Sequence, residues 1–344
     1  MHGPCAAFLM LALTWPAAWA ESDVVLDADM TNPGYVPHPE WFKQSFLDLN
    51  EDVEEASSED RHLVLYFYQD GCPYCKMFIE NDLGQYDIAE YAQRHFDFVA
   101  INIFGALEVT DVDGEVLPEG KFAMKTRVMF TPTLLVFGED GSVVFRMNGY
   151  YPPPRFRAVM RFIAERRYTD ERFVEYYDSQ EKQAGSGILH VGDSTMPGPP
   201  FDLVNRDRNK PLLVLFEQKE CLGCDELHQD IFRRPETRNF LEKFEIAVLD
   251  IRAREPLTTP LGKETDSLSW AMRLGVKTVP TQVIFDAEGR EVFRNEGYAR
   301  AFHVQSILDY VASGAYVENE DFQRYIQARA DRLREEGVAV KLME

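Results

Sequence analysis

Two stretches decide the architecture: Leu63-Val-Leu-Tyr-Phe-Tyr-Gln-Asp-Gly-Cys72 and Leu212-Leu-Val-Leu-Phe-Glu-Gln-Lys-Glu-Cys221. Each is a continuous apolar, β-rich run, the pattern of a strand buried on both faces, and each ends at a C-x-x-C pair. Working outward, Thr131-Pro132-Thr133 aligns with Val279-Pro280-Thr281, Leu135–Arg146 with Val283–Arg294, and Gly149-Tyr150 with Gly297-Tyr298. The offset is 149 residues at the cysteines and 148 from the prolines onward. Holding that offset across four landmarks predicts a duplicated unit. A period this long makes the unit a whole domain, since solenoid repeats run about 20–50 residues.

The same order of elements is expected in each copy. After the first strand (63–68; 212–216) comes a helix, patterned by Met77, Phe78 and Leu83 or by Leu227, Ile231 and Phe232. A second strand follows (Phe96–Ile103; Phe244–Ile251), then a longer loop and a short helix. Two strands joined by a turn at Asp140-Gly141 or Glu288-Gly289 lead to a closing helix (Arg155–Glu165; Ala301–Val311). The fold class is α/β: two tandem domains, each a central mixed β-sheet flanked by helices. Residues 40–55 read as an opening helix carrying Trp41, Phe42, Phe46, Leu49 and Val53. Glu318–Glu336 reads as a charged surface helix. The Gly-, Ser- and Pro-rich 183–200 reads as a linker, which sets the domains at 21–182 and 201–344.

Composition narrows the function. The 344 residues are 45% hydrophobic and 27% charged, which excludes a collagen-like or wholly disordered chain. Lys+Arg number 36 against Asp+Glu 58, a formal net charge of -22, so nucleic acid is not an expected partner. The apolar residues 6–13, then Ala18-Trp19-Ala20 and the polar Glu21-Ser22-Asp23, have the anatomy of a signal peptide spanning 1–20. One departure is an n-region without Lys or Arg. Cleavage is expected after Ala20, giving an exported, periplasmic or secreted chain and removing Cys5.

The four remaining cysteines form two pairs, Cys72/Cys75 and Cys221/Cys224. Closing a four-residue loop removes little unfolded-state entropy, on the order of 2 kcal/mol against nearly 5 for a 100-residue loop. Two short-loop pairs therefore point to chemistry. The order strand, C-x-x-C, helix places the first cysteine of each pair at a helix N-terminus. Unsatisfied amides and the macrodipole there lower a thiol pKa. The first sulfur becomes the attacker and the second the resolver.

Gly71-Cys72-Pro73-Tyr74-Cys75, the Thr131-Pro132 step and the hairpin after it resemble the thioredoxin fold. Cys221-Leu222-Gly223-Cys224 with Val279-Pro280 resembles a second one. The long segment between C-x-x-C and proline is similar to that of SoxW-type periplasmic thioredoxin-related proteins. The resemblance covers about residues 40–165 and 205–312. It implies that Pro132 and Pro280 are cis and face the cysteines, and that Thr131 and Val279 offer their backbone to an extended substrate. It also implies disulfide substrates, protein or small-molecule, and a membrane thiol–disulfide electron donor. The family's buried Asp, six residues before the first cysteine, is replaced by Tyr66 and Leu215, and its Trp by Gly71 and Glu220. A proton acceptor for the resolving cysteine must come from elsewhere, with Tyr66, Glu217 and water as candidates.

The two sites differ. Glu220, Asp225 and Glu226 oppose thiolate formation at Cys221, so Cys72 is expected to be the working nucleophile. His228 reads as exposed or capping, Asp111–Glu115 as a solvated turn, and Tyr150 and Tyr298 as packing residues. No metal site and no cofactor are expected. The function expected is thiol–disulfide exchange through Cys72, Cys75, Cys221 and Cys224. The alternatives left open are a peptide-docking module and a metal-handling protein.

Overall fold

The computed structural model describes residues 34–180, 185–192, 194–297, 299–318, 321–338 and 340. The expected signal peptide and its cleavage site lie outside the described residues, as does Tyr298. The first copy runs α1 (Leu49–Ser58), β1 (His62–Tyr68), α2 (Pro73–Met77), α3 (Tyr86–His95) and β2 (Phe96–Asn102). It continues through β3 (Glu108–Thr110), β4 (Val116–Pro118), α4 (Glu119–Lys125), β5 (Thr133–Phe137), β6 (Val143–Asn148), α5 (Pro153–Ala164) and α6 (Phe173–Gln180). The second runs β7 (Phe201–Asp202), β8 (Leu212–Glu217), α7 (Leu222–Gln229), α8 (Pro235–Leu241), β9 (Glu245–Asp250), β10 (Pro256–Thr258) and β11 (Glu264–Asp266). Then come α9 (Ser267–Arg273), β12 (Thr281–Phe285), β13 (Glu291–Glu296), α10 (Ala301–Ala312), α11 (Ala315–Glu318) and α12 (Phe322–Glu335).

The two central sheets are equivalent: β2-β1-β5-β6 and β9-β8-β12-β13. In each, the apolar strand β1 or β8 pairs parallel to one neighbour and antiparallel to the other. Both strands are central and covered on both faces, which is why their sequences are apolar at nearly every position rather than alternating. The fold class read from the sequence is the one observed, two thioredoxin-like α/β regions with sheets flanked by helices. One aromatic core fills the face of the first sheet under α5, with Tyr66, Phe78, Phe98, Phe145, Phe156 and Phe162 all buried.

Several local expectations are corrected. The opening helix starts only at Leu49, because Asp48 accepts hydrogen bonds from the amides of Asn50 and Glu51 and so caps it there. Trp41 and Phe42 precede it in a turn, and Phe46 stands in solvent. The turn at 111–115 is exposed at Asp113, Gly114 and Glu115, as expected, but Asp111 itself is buried: it accepts from the amides of Asp113 and Glu115 and pairs with Lys125. α12 is amphipathic and half-buried, with Phe322, Tyr325 and Ile326 inside the second copy's core.

The two copies pack on each other. Phe130 of the first inserts among second-copy aromatics, its ring centroid 5.8 Å from Phe293 and 5.5 Å from Phe322. Val174 sits in the apolar cluster around Cys221 and Cys224. Lys277 Nζ donates to the carbonyl of Val144 on the edge strand β6 at 2.6 Å. Gln323 of α12 donates to Met129 O at 2.6 Å. Arg172 donates to Ile251 O at 3.3 Å, and Arg252 pairs with Asp178. Apolar burial with backbone-directed hydrogen bonds is how an intrachain interface becomes part of the fold rather than a hinge. Among the described residues, no helix is long and apolar enough to cross a membrane.

Candidate active site

Both cysteine pairs sit where the strand-to-helix order places them. Cys72 is the N-cap of α2 and Cys221 the N-cap of α7, each in extended backbone. The amide of Cys75 donates to Cys72 Sγ at 3.0 Å, and that of Cys224 to Cys221 Sγ at 3.1 Å. These amides are orphan donors of a helix first turn, and aimed at sulfur they stabilise a thiolate there. Both pairs are closed as disulfides, with Cα–Cα separations of 5.2 Å. Cys72 and Cys221 are 4% and 1% exposed.

The proline loops are placed as the resemblance implies. Thr131-Pro132 and Val279-Pro280 are cis. Cys72 Sγ lies 3.4 Å from Thr131 O and accepts from the Thr131 hydroxyl at 3.3 Å. Val279 packs in the same apolar cluster as Cys221 and Cys224. All eight site residues named from the sequence thus fall into two compact groups, one per copy.

The surroundings of the two groups differ. Tyr66 is buried, its ring stacked on Tyr68 and Phe78, and burial pushes its hydroxyl pKa far up. Asp82, at the end of the turn that extends α2, is fully buried, and neither carboxyl oxygen has a hydrogen-bond partner. Burial pushes its pKa up to about 8, against the opposing charge of Arg157. In the second copy Glu217 is fully buried and bonds His228 Nε2 at 2.7 Å, so His228 is a buried-acid partner rather than an exposed or capping residue. His190 stacks on His228 at 4.8 Å and bonds Asp225 at 2.6 Å. Ser186 donates to Asp225 through its amide at 2.7 Å and its hydroxyl at 2.6 Å. Burial works against ionising Asp225, but Ser186 and His190 outweigh it and hold its carboxyl below the usual range. Part of the segment read as a linker is therefore laid across the second site. At Gly185 a Cβ would stand 2.2 Å from Cys221 N, so only glycine lets the chain pass there.

The two sites open toward one another. A cavity of about 510 Å³ lies between the copies. Tyr74 and Thr131 line it from the first site, and Leu222 and Gly223 from the second. The Tyr74 ring meets His303 edge-on at 5.3 Å. Tyr150 also lines this cavity, so it is a wall residue as well as a packing one. A larger cleft, about 1340 Å³, runs between the copies along β6, β13 and the start of α12; among the described residues no cysteine lines either space, but only the smaller one is walled by residues next to the cysteines. Among the described residues there is no cluster of His, Cys, Asp and Glu able to hold a metal ion. The sequence reading missed Asp82, Arg155, His190 and His303. The available signal for three of them was mismatch within the repeat: Asp82 aligns with Ile231, and Arg155 with His303.

A family model for the thioredoxin-like domain matches the chain twice, over residues 49–164 and 204–312. No curated protein matches it. Among solved structures it is similar to a thioredoxin-fold protein from Helicobacter pylori, at 25% identity over 38% of this chain and 88% of that one, with a TM-score of 0.30. It is also similar to a thioredoxin from Thermus thermophilus, at 22% identity over 39% of this chain and 90% of that one, TM-score 0.27. The reduced C-terminal domain of Neisseria meningitidis DsbD matches at 23% identity over 33% of this chain and 91% of that one, TM-score 0.25.

Proposed function

The chain belongs to the thioredoxin-like family through both of its halves, and on that premise we propose that it is a thiol–disulfide oxidoreductase acting on disulfide substrates. The observation that carries this reading is the first sulfur of each C-x-x-C, held as a helix N-cap and bonded by a first-turn amide. The Cys72 thiolate attacks one sulfur of a substrate disulfide, forming a mixed disulfide and releasing one thiolate, which takes up a proton. Cys75 then gives up its proton and attacks Cys72 Sγ. The Cys72–Cys75 disulfide forms and the second substrate thiol leaves, so two electrons have passed from protein to substrate. Thr131, beside Pro132, presents its backbone to the substrate chain, and Val279 and Pro280 do the same at Cys221/Cys224.

We assign this activity to the periplasm or the outside of the cell, in the manner of SoxW-type proteins, a reading supported by the signal-peptide anatomy of residues 1–20. A membrane thiol–disulfide protein then supplies the electrons. The domain limits proposed are 21–182 and 201–344 with 183–200 between them. The test is a redox titration of the mature chain with thiols trapped and counted by mass, on wild type and on each Cys-to-Ser pair. Two reversible two-electron transitions are expected. If neither pair cycles, the chain is a docking or metal-handling module instead.

A further inference from the structure

We infer that the cavity shared by the two cysteine sites is a binding site for a small disulfide carrying a carboxylate, which it docks on Arg155. This inference rests on the exchange activity proposed above and adds its substrate class. The cavity's size, about 510 Å³, is that of a small-molecule site, and its walls come from both copies. Tyr74 and Thr131, the neighbours of Cys72 in sequence and in space, face Leu222 across it. Among the described residues no cysteine lines the cavity itself, so a ligand held there meets the first C-x-x-C through the wall that Tyr74 and Thr131 form beside Cys72.

The charge at Arg155 is what makes the ligand anionic. Its guanidinium lies over the Tyr151 ring at 4.3 Å and 5.9 Å from the Tyr177 ring centroid. Its Nε is buried with no hydrogen-bond partner, and among the described residues no carboxylate forms an ion pair with it. Asp178, whose carboxyl feels this charge, accepts from Gln218 at 3.0 Å and pairs with Arg252, both through Oδ2; its Oδ1 is buried without a partner, and it forms no ion pair with Arg155. The cavity's other arginine, Arg300, is paired with Glu226 at 3.2 Å. Arg155 thus presents a planar fork of donors, backed by aromatic surface, with a buried N–H left over. A carboxylate satisfies that arrangement in a way that water at one face does not. The repeat makes the point a second time: the position equivalent to Arg155 is His303, which is half-buried and lines the cavity from the second copy. The cation without a carboxylate partner is therefore supplied from the first copy, Arg300 of the second being paired with Glu226, and it fixes which end of a ligand faces which copy. In a chain of formal net charge -22 an anion is repelled at long range, so its admission has to be local.

The chemistry balances with the ligand as oxidant. The reduced Cys72/Cys75 pair passes two electrons and two protons to R–S–S–R, giving two R–SH and the Cys72–Cys75 disulfide. The test uses the full chain, reduced with dithiothreitol and desalted. It is mixed with three small disulfides of different charge: dithiodipropionate (anionic), hydroxyethyl disulfide (neutral) and cystamine (cationic). Acid quenching, alkylation and peptide mass report the Cys72–Cys75 pair separately from Cys221–Cys224. Arg155→Met is expected to slow oxidation by dithiodipropionate about tenfold, the loss of one charge-assisted contact, and to leave the other two within twofold. Arg155→Gln, which keeps a polar group over Tyr151, repeats the test should the methionine variant fold poorly. Leu222→Trp, a change in the second copy, is expected to slow all three at Cys72–Cys75 by filling the shared space. Equal or absent effects of the Arg155 variants across the three disulfides overturn the carboxylate site. An unaltered first pair in Leu222→Trp overturns the shared cavity. Failure to react with any disulfide, cystamine included, removes the exchange activity itself and this inference with it.

Discussion

The two cysteine sites occupy equivalent positions 149 residues apart and share their backbone geometry, yet different buried charges surround them. In the helical segment after the first stands Asp82, a buried carboxyl with no hydrogen-bond partner, where the second has Ile231. Behind the second stands the Glu217–His228 pair, where the first has Tyr68 and Ile79. Across the cavity Arg155 faces from one side and His303 from the other. The lesson is that strand, N-cap sulfur and cis-proline are set by the local fold and repeat faithfully. The ionisable surroundings that tune each sulfur are set residue by residue and do not.

The comparison is tested most severely by removing one pair at a time. Cys72→Ser with Cys75→Ser is expected to cut turnover of a small disulfide by about 10³-fold, because no nucleophile is left at the more accessible site. Cys221→Ser with Cys224→Ser is expected to cut it by less than tenfold, since Gly185 and Ser186 already lie across that site. Steady-state assays on both variants decide it, and the reverse ranking would make the second site the working one.

The next effect is on stability. The unfolded chain ionises Asp82 near 3.8, whereas the folded chain holds its proton up to about 8. Unfolding therefore releases a proton between those values, and stability falls as pH rises through that window. Between pH 5 and pH 8 this amounts to about 4 kcal/mol. Asp82→Asn is expected to gain roughly that much on wild type across the interval, read by urea unfolding at both pH values with the disulfides intact. Asp82→Ile makes the first site like the second and is expected to abolish the same pH slope.

His303 gives the opposite slope. Burial lowers its pKa from 6.5 to about 4, so the folded chain keeps it neutral while the unfolded chain protonates it. Stability is complete above 6.5 and is lost as pH falls toward 4, by about 3 kcal/mol. His303→Phe, which preserves the edge contact with Tyr74, is expected to flatten this acid limb. Retention of the full limb in the variant would show that another group titrates there.

Much of this was legible in the sequence, and the reasons are local. An apolar run ending at C-x-x-C, a proline 56 or 57 residues past its second cysteine and a Gly-centred turn each report on their own neighbourhood, so fold and cysteine geometry followed from the repeat. What was not legible depends on contacts distant in sequence. Phe130 reads as one more loop aromatic until Phe293 and Phe322, more than 160 residues on, surround it. Phe46 fits a helical stripe, but the cap at Asp48 decides where the helix begins. His228 looks like a surface residue of α7 until β8 places Glu217 beneath it. Arg155 carries no motif at all, and its character comes from the Tyr151 and Tyr177 rings beneath it and the cavity between the copies that it lines.

The smallest expected effect bears on why the second site is the slower one. Ser186 holds residues 185–190 against α7 through its hydroxyl bond to Asp225 at 2.6 Å. Its amide bond to the same carboxylate would survive truncation. Ser186 is exposed, so Ser186→Ala removes a solvent-screened hydrogen bond, about 1–1.5 kcal/mol. If that bond limits access, reduction of Cys221–Cys224 by dithiothreitol speeds up about five- to tenfold while Cys72–Cys75 is unchanged. Electrostatics argues the other way, since an Asp225 with fewer donors opposes the forming Cys221 thiolate more strongly and slows the step. The two effects have opposite signs at one pair of sulfurs, so the direction of the rate change separates them. Faster reduction makes the covering segment the cause of the difference between the sites, and slower reduction makes it the acidic shell around α7.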